Sequence, residues 1–428
     1  MLSQQNSQTI ATRPDRRNAC PGLSRTVMSK DGAIARIKLK LGRLSVAQAQ
    51  AIADIAERFE TGAIELSIRS NIQLRGIHPD VWPDVITALH EAGLGAKNAA
   101  ADDVRNVMVS PTTGIDRGQI CDVTGLATNL LSVLQENKTY HALSPKFSLQ
   151  IDGGEDCAMV SHPGDIWLSA IDCGKAYVFG LASSPDKQAH GAVSSQNALP
   201  FIEALLQHFL AARQKGIARM KHLFEIMPVE EFLRTLPFEF DAPPNWQRKA
   251  PIAHAHLGLH QQIGGKFYIG AMPLLGRLTP QQLRGLARLT KHALHLTPWQ
   301  GILIPHIAEA EGQSILGKLH ALGLSTEPTS PAARLRACSG SKGCASALAD
   351  TQADGEALAR QLKSDTAQIH ITGCAKSCAA LSPLPHTLLA RSPTHYDLFL
   401  QDKAGPARFG RLLASNITID EAAKLLNK

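Results

Sequence analysis

The hydrophobic residues of this chain follow one pattern twice. Residues 41–45 read Leu-Gly-Arg-Leu-Ser and residues 275–279 read Leu-Gly-Arg-Leu-Thr, and an apolar segment comes later in each copy, at 66–77 and 296–307. Between them, apolar residues recur every three or four positions, as on one face of a helix, at Val46, Ala49, Ile52, Ile55 and Phe59 and again at Leu283, Leu286, Leu289 and Ala293. Each copy therefore predicts a strand, a helix and a strand, and the two copies are expected to pack about a pseudo-twofold axis.

Both predicted helices begin with the same capping signal. Ser45 is followed three residues later by Gln48, and Thr279 by Gln282. This spacing lets each side chain accept a hydrogen bond from the backbone of the other residue. Pro280 also suits the first turn of the second helix.

A longer mixed segment follows each copy, which predicts an α+β protein built of two related halves. The first segment predicts strands at 106–110, 147–151, 166–170 and 177–181 and helices near 124–137 and 196–214; the second predicts strands near 369–371 and 397–400 and a helix after Asp420. The proline-rich stretch Pro228 to Pro251 is interpreted as the linker. The predicted divisions are a flexible tail (1–18), half-repeat 1 (19–90), α/β domain 1 (91–235), a linker (236–250), half-repeat 2 (251–328) and α/β domain 2 (329–428).

Composition narrows the class of protein. The chain has 428 residues, 44% hydrophobic and 19% charged, which is typical of a folded protein with two or three domains. Its N-terminal stretch is polar and no apolar run reaches membrane-spanning length, so a cytoplasmic protein without a membrane contact is expected. The net charge of +7 comes from scattered basic residues. This distribution argues against a nucleic-acid partner and favours an anionic small molecule.

Four cysteines near the C-terminus carry the clearest chemical signal. They form a C-x5-C pair, Cys338 and Cys344, and a C-x3-C pair, Cys374 and Cys378, with glycines beside them. Ordinary core cysteines, a structural zinc and a disulfide are the alternatives, but zinc usually takes closer pairs and a disulfide conflicts with the expected compartment. The pattern therefore favours a [4Fe–4S] cluster. The remaining cysteines, at 20, 121, 157 and 173, are interpreted as single thiols.

With this cysteine pattern and the repeat, the chain resembles the nitrite and sulfite reductase superfamily. The resemblance implies two ferredoxin-like half-repeats, two α/β domains and a [4Fe–4S] site in the second. Within the superfamily, four strings are most similar to the precorrin-3B synthases of aerobic cobalamin biosynthesis, namely residues 19–23, 70–77, 344–351 and 373–379.

The resemblance also places a basic pocket for a tetrapyrrole. Its residues are Arg36 (or Lys38 on the same strand), Arg69, Arg105, Asn106 and Lys146. Sulfite reductases carry a second lysine where this chain has Ser148, which weakens a sulfite-reducing interpretation. Nitrite reductases also lack this lysine, so a nitrite-reducing interpretation stays open. Arginine binds carboxylates through two parallel hydrogen bonds, so such a pocket suits a polycarboxylate macrocycle. Arg75 and Arg277 are interpreted as surface ion pairs.

The function that the resemblance implies is an oxygen-dependent monooxygenase acting on precorrin-3A. Such an enzyme takes O2 and two electrons from an external donor or an NAD(P)H-dependent reductase, since the chain has no nicotinamide-binding motif. A non-haem iron is also implied; His254, His256 and His260 are candidate ligands, although ordinary strand or surface positions are the simpler interpretation. A sirohaem-dependent nitrite or sulfite reductase is the alternative enzyme. A non-catalytic electron carrier or tetrapyrrole-binding protein is the alternative outside enzymes.

Overall fold

The first half-repeat is an antiparallel sheet covered by two helices. The structure, a computed structural model, describes residues 20–25, 27–214, 216–380, 383–402 and 409–428, so the predicted tail 1–18 lies outside the described residues. The elements are β1 (Val27–Ser29), β2 (Gly32–Ile37), β3 (Arg43–Leu44), α1 (Val46–Arg58), β4 (Ala63–Leu66), β5 (Ile72–Ile77) and α2 (Trp82–Glu91). The predicted capping box is present, because the Ser45 side chain accepts from the Gln48 amide and the Gln48 side chain accepts from the Ser45 amide, both at 3.1 Å.

The first α/β domain surrounds a five-stranded mixed sheet. Its elements are α3 (Ala99–Val104), β6 (Val107–Met108), α4 (Thr124–Glu136), β7 (Leu149–Asp152), β8 (Ile166–Ile171), β9 (Ala176–Leu181), β10 (Gly191–Ser194), α5 (Ala198–Ala212), α6 (Met220–Leu223) and α7 (Val229–Arg234). Strands β6, β7 and β8 are parallel, and β9 and β10 continue the sheet antiparallel.

The second half-repeat has the same order of elements as the first. It comprises β11 (Gly258–Gln261), β12 (Phe267–Ala271), β13 (Arg277–Leu278), α8 (Pro280–Ala287), β14 (Leu294–Leu296), β15 (Ile302–Ile307) and α9 (Gly312–Ala321). The capping box of Thr279 and Gln282 starts α8, with Pro280 in the first turn, as the sequence predicts.

The second α/β domain repeats the sheet of the first. Its elements are α10 (Pro331–Arg334), β16 (Leu335–Ala337), α11 (Gly340–Gly343), α12 (Thr351–Ala359), β17 (Ile369–Thr372), β18 (His386–Ala390), β19 (Tyr396–Leu400), β20 (Arg411–Ile417) and α13 (Ile419–Leu426). Strands β16, β17 and β18 are parallel, and β19 and β20 are antiparallel to their neighbours. Both α/β sheets therefore have three parallel strands followed by two antiparallel ones.

The two half-repeats exchange their shortest strands. Strand β13 of the second pairs with β4 of the first, and β3 of the first pairs with β14 of the second. The sheet orders are β1-β2-β5-β4-β13 and β11-β12-β15-β14-β3, which are the same order in the two copies. Helices α1 and α8 contact each other, and both sheets share one hydrophobic core. The predicted pseudo-twofold packing is thus present, and each half is completed by a strand from the other.

The turn before each exchanged strand has the same unusual backbone. Leu41 and Leu275 have φ of 53° and 54°, and the glycines that follow have φ of 70° and 71°. A Cβ on Gly42 would lie 2.9 Å from the Cβ of Ser70, and a Cβ on Gly276 would lie 2.7 Å from Nε2 of Gln300. Glycine is therefore required by both conformation and space at these two positions.

The predicted linker is a packed extension of α/β domain 1. Helix α7 lies within it, Asp241 pairs with Ala192 of β10, and the Trp246 ring stacks on Trp167 with centroids 6.0 Å apart. The proline content of this segment indicated a break in regular structure but gave no sign of these contacts. Across the described ranges, no helix is both long and apolar enough to cross a membrane.

Candidate functional site

The two cysteine pairs meet at one edge of the second α/β sheet. Cys338 directly follows β16, and Cys374 lies two residues after β17. These strands are parallel neighbours, with Ala337 opposite Ile371, so their carboxyl ends lie side by side. The second cysteine of each pair, Cys344 or Cys378, follows within the same loop. Sheet topology therefore brings together two pairs of thiols that have 29 residues between them in sequence.

The surroundings of the thiols fit an inorganic cluster. The Gly373 amide donates to the Cys338 sulfur at 3.3 Å, and the Thr351 hydroxyl lies 3.4 Å from the same sulfur. A Cβ on Gly373 would lie 2.5 Å from the Cβ of Ala347, so only glycine fits there. Partial desolvation and the charges of the other three thiols raise the pKa of Cys378. Four neighbouring cysteine sulfurs, one of which accepts an amide hydrogen bond, are the donor set that an iron–sulfur cluster uses.

The cysteine loop is also held by the first half-repeat through Arg75. Its Nη2 atom donates to the Gly343 carbonyl at 2.6 Å, and Nη2 and Nε each lie 3.0 Å from an oxygen of Asp31. The side chain is buried, so the interpretation of Arg75 as a surface ion pair is wrong. Arg277 does form such a pair, 2.7 Å from Glu65 and partly exposed.

Of the two basic residues predicted on β2 and just after it, Arg36 is the one associated with the cysteines. Its guanidinium donates to the Gln73 side chain at 2.6 and 3.0 Å and interacts electrostatically with Cys378. Lys38 is buried, and its Nζ donates to the carbonyls of Asp102 and Asp103 at 2.7 and 2.8 Å. Burial lowers the pKa of Lys38 to about 8. The Lys38 ammonium group is therefore already hydrogen-bonded to backbone carbonyls of the protein.

Arg69, Arg105 and Asn106 line one cavity together with Ser148, the residue that stands where sulfite reductases have lysine. No hydrogen bond or ion pair joins the Arg69 guanidinium to any described residue. Burial, followed by the charges of Arg219 and Arg36, lowers the pKa of Arg69 to about 10. Within the described ranges, the buried Nε of Arg105 and the hydroxyl of Ser148 also lack partners. These polar atoms favour a polar ligand.

The other predicted pocket residues differ in their hydrogen-bond partners and in their position relative to the cavity. Nη2 of Arg105 pairs with Asp102 at 2.8 Å, and the Asn106 amide donates to the carbonyls of Asp103 and Pro145. Lys146 is exposed and does not line the cavity. The structure therefore brings Arg69, Arg105 and Asn106 together and places Lys146 outside this group.

Sequence reasoning missed three residues near Arg69. They are His162 in the β7–β8 loop, Arg219 directly before α6, and Arg336 in β16. Arg219 pairs with Asp165 at 2.6 Å. Burial and then the charges of Arg69, Arg219 and Arg336 lower the pKa of His162 to about 4. Only Arg336, two residues before Cys338, lies close enough to a motif for sequence to have indicated it.

The three histidines considered as iron ligands do not form a metal site. Gly258–Gln261 is a strand, so His256 and His260 do not share a helix face. His256 stacks on Trp299 with centroids 4.1 Å apart, and His260 Nε2 lies 2.6 Å from the Leu257 carbonyl. Among the described residues, no three His, Cys, Asp or Glu side chains are placed to hold a single metal ion.

Comparison with known protein families decides the family. The model of the nitrite/sulfite reductase ferredoxin-like half domain matches residues 28–92 and 260–322, and that of the nitrite and sulphite reductase 4Fe-4S domain matches 100–242. Together they cover more than half of the chain and both half-repeats. The chain belongs to the nitrite and sulfite reductase superfamily. The matched 4Fe-4S range is α/β domain 1; the four cysteines lie in α/β domain 2, which has the same strand order.

Several members of this superfamily are similar over most of their length. A precorrin-3B synthase from a Sinorhizobium species is 27% identical over 96% of this chain and 91% of that protein. A ferredoxin–nitrite reductase from Synechococcus elongatus is 26% identical over 81% of this chain and 73% of that protein. The solved structure of Mycobacterium tuberculosis NirA matches with a TM-score of 0.77 at 23% identity, over 92% of this chain and 79% of that one. The predicted fold is confirmed.

Proposed function

We propose that this chain is a monooxygenase that converts precorrin-3A to precorrin-3B, by hydroxylation at C20 with closure of a γ-lactone. The observation that carries the proposal is the Arg69 guanidinium, which is buried without an acceptor among the described residues and lies beside Ser148, the residue that replaces the second lysine of sulfite reductases. An unpaired buried guanidinium suits a carboxylate of a tetrapyrrole macrocycle, and the absence of the second lysine disfavours sulfite as the substrate. The similarity to a precorrin-3B synthase over 96% of the chain supports the same choice.

In this proposal, Cys338, Cys344, Cys374 and Cys378 hold a [4Fe–4S] cluster. When bound, the cluster supplies one-electron transfer. The Gly373 amide donates to the Cys338 sulfur, the Thr351 hydroxyl donates to the Cys338 carbonyl, and Arg75 fixes the loop that carries Cys344. These contacts hold the four thiols at the domain edge that faces the first half-repeat.

The basic residues bind and orient the substrate. Arg36 and Arg69 provide positive charge, and Arg105 and Asn106 line the cavity beside Arg69, whereas exposed Lys146 lies outside this group. The reaction consumes O2, two electrons and two protons, and yields the hydroxylated product and one water. The two electrons come from an external donor or a reductase, which is a partner under this proposal.

Two measurements on protein purified without oxygen test the proposal. We expect a broad visible absorption from the iron–sulfur cluster, without the sharp Soret band of a sirohaem. We also expect precorrin-3A to be consumed only when both O2 and a reductant are present. Sharp sirohaem bands with reduction of nitrite or sulfite would contradict the proposal and favour a sirohaem-dependent reductase.

A further inference from the structure

Arg336 is a buried cation without an acceptor in the described part of the chain. It is the central residue of β16 and is only 8% exposed. No hydrogen bond or ion pair joins its guanidinium to a described residue. No carboxylate among the described residues offsets the cost of burying its charge. A buried charge without a partner is costly, so such a group points to a ligand of opposite charge.

His162 is a second buried polar side chain, and it lies within the electrostatic range of both Arg336 and Arg69. The positive charges of Arg69, Arg219 and Arg336 all act on the His162 ring, and these residues come from three different domains. His162 is 7% exposed, and its Nε2 atom is buried without a hydrogen-bond partner in the described ranges. The pKa of about 4 makes the ring neutral at physiological pH, so one ring nitrogen is available as an N–H donor.

Asp165, the carboxylate near these basic side chains, already has hydrogen-bond and ion-pair partners. Asp165 accepts from Arg219 Nε at 2.6 Å, from the Ser148 amide at 2.8 Å and from the Met220 amide at 2.9 Å. Arg219 is its ion-pair partner, and neither Arg69 nor Arg336 forms an ion pair with a described carboxylate. A metal cation is excluded by the sign of this field, and an anion is favoured.

We propose that Arg336 and His162 form a binding subsite for one peripheral carboxylate of the tetrapyrrole, separate from Arg69, Arg105 and Asn106. The proposal rests on the proposed function and extends it to α/β domain 2. Arg336 supplies a planar pair of N–H donors and His162 a neutral third donor. Because Arg336 lies two residues before Cys338, a carboxylate bound there fixes one edge of the macrocycle beside the cysteine loop.

The test measures binding of uroporphyrin, an octacarboxylate tetrapyrrole, to the full-length protein with its cluster, through quenching of porphyrin fluorescence. We expect Arg336→Met to weaken binding at least tenfold, as loss of a charge-assisted pair should. Arg336→Lys keeps the charge but loses the paired donors and should give a smaller loss. Arg284→Met is the matched control, because Arg284 pairs with Asp54 and Glu57 on the exposed face of α1 and α8 and should bind as wild type.

The outcomes separate this inference from the proposed function. If the wild type binds uroporphyrin and both Arg336 variants bind it with the same affinity, the subsite is overturned and the tetrapyrrole function stands. Absence of uroporphyrin binding by the wild type would overturn both. Equal losses in Arg284→Met and Arg336→Met would show a general charge effect and also overturn the subsite. If Arg336→Met fails to fold by circular dichroism, Arg336→Lys and His162→Phe carry the test, each with an expected loss of affinity of severalfold.

Discussion

The Nη2 atom of Arg75 donates a 2.6 Å hydrogen bond to the carbonyl of Gly343, 268 residues further along the chain. Arg75 belongs to β5 of the first half-repeat, and Gly343 directly precedes Cys344. The same guanidinium is held by Asp31 at 3.0 Å. The N-terminal half of the protein therefore fixes the backbone on which one of the proposed cluster ligands stands.

We predict that Arg75→Met weakens the cluster without removing a ligand. The substitution leaves the Asp31 carboxylate without its cation and removes one of the two donors to the Gly343 carbonyl, the other being the Ser29 hydroxyl. The cost is about 2 kcal/mol, less than for a fully buried pair because Asp31 is partly exposed. We expect the visible absorption of the cluster to bleach several times faster under an iron chelator. Arg284→Met should bleach at the wild-type rate. Equal bleaching of Arg75→Met and wild type would show that this contact does not support the loop.

Cys374→Ser should abolish the cluster signal. Serine retains the shape of cysteine but is a poor ligand for cluster iron, and Cys374 occupies the carboxyl end of β17 beside Cys338. The measurement is visible absorption and iron content after reconstitution. Cys173→Ser is the control, because Cys173 is an exposed free thiol in α/β domain 1 and should retain the full signal. An intact signal in Cys374→Ser would refute the assignment of the ligands.

The features that sequence predicted are those set by nearby residues. The capping boxes at Ser45 and Thr279 depend on residues three positions apart, and each was found as expected. The repeated Leu-Gly-Arg-Leu segment identified the pseudo-symmetry for the same reason. The cysteine spacing favoured a cluster, although only the parallel pairing of β16 and β17 explains why two distant pairs meet.

The features that sequence did not predict depend on contacts between domains. The exchange of β3 and β13 involves strands of two residues, which are too short to give a periodic pattern. His162, Arg219 and Arg336 lie in three segments with no motif in common, and only the packed domains bring them together. The surface position assigned to Arg75 was wrong because its acceptor, Gly343, is far away in sequence.

Stability should fall in mild acid because of buried neutral histidines such as His295. Its Nδ1 atom lies 2.7 Å from the Pro111 carbonyl, and burial, with the charges of Arg43 and His306, lowers its pKa to about 3. An unfolded chain has a histidine pKa near 6.5, so between these two values the unfolded state binds the extra proton and is favoured as pH falls. From pH 7 to pH 5 this one residue should reduce the free energy of unfolding by about 2 kcal/mol.

His295→Asn tests this pH dependence because the asparagine amide can replace the Nδ1 donor and does not titrate. We expect urea unfolding of the variant at pH 7 and pH 5 to show a smaller difference than in the wild type. The exposed histidine His320, replaced by Asn, should leave the difference unchanged. An equal pH dependence in wild type and His295→Asn would contradict the prediction.

The segment predicted as a linker should contribute strongly to stability through Arg248. Nε and Nη2 of Arg248 lie 2.7 and 2.9 Å from the two oxygens of Asp152, and both side chains are almost fully buried. Burial and the Asp152 charge raise the pKa of neighbouring Glu155 to about 8, so Glu155 is largely neutral at pH 7. Asp152 is therefore the carboxylate whose charge Arg248 balances. Arg248→Met leaves a buried carboxylate unpaired and should lower the free energy of unfolding by about 3–5 kcal/mol. Lys249→Met removes only an exposed pair with Asp156 and should change it little, since such pairs are screened by solvent. Equal unfolding curves for the two variants would mean that the segment is a free linker after all.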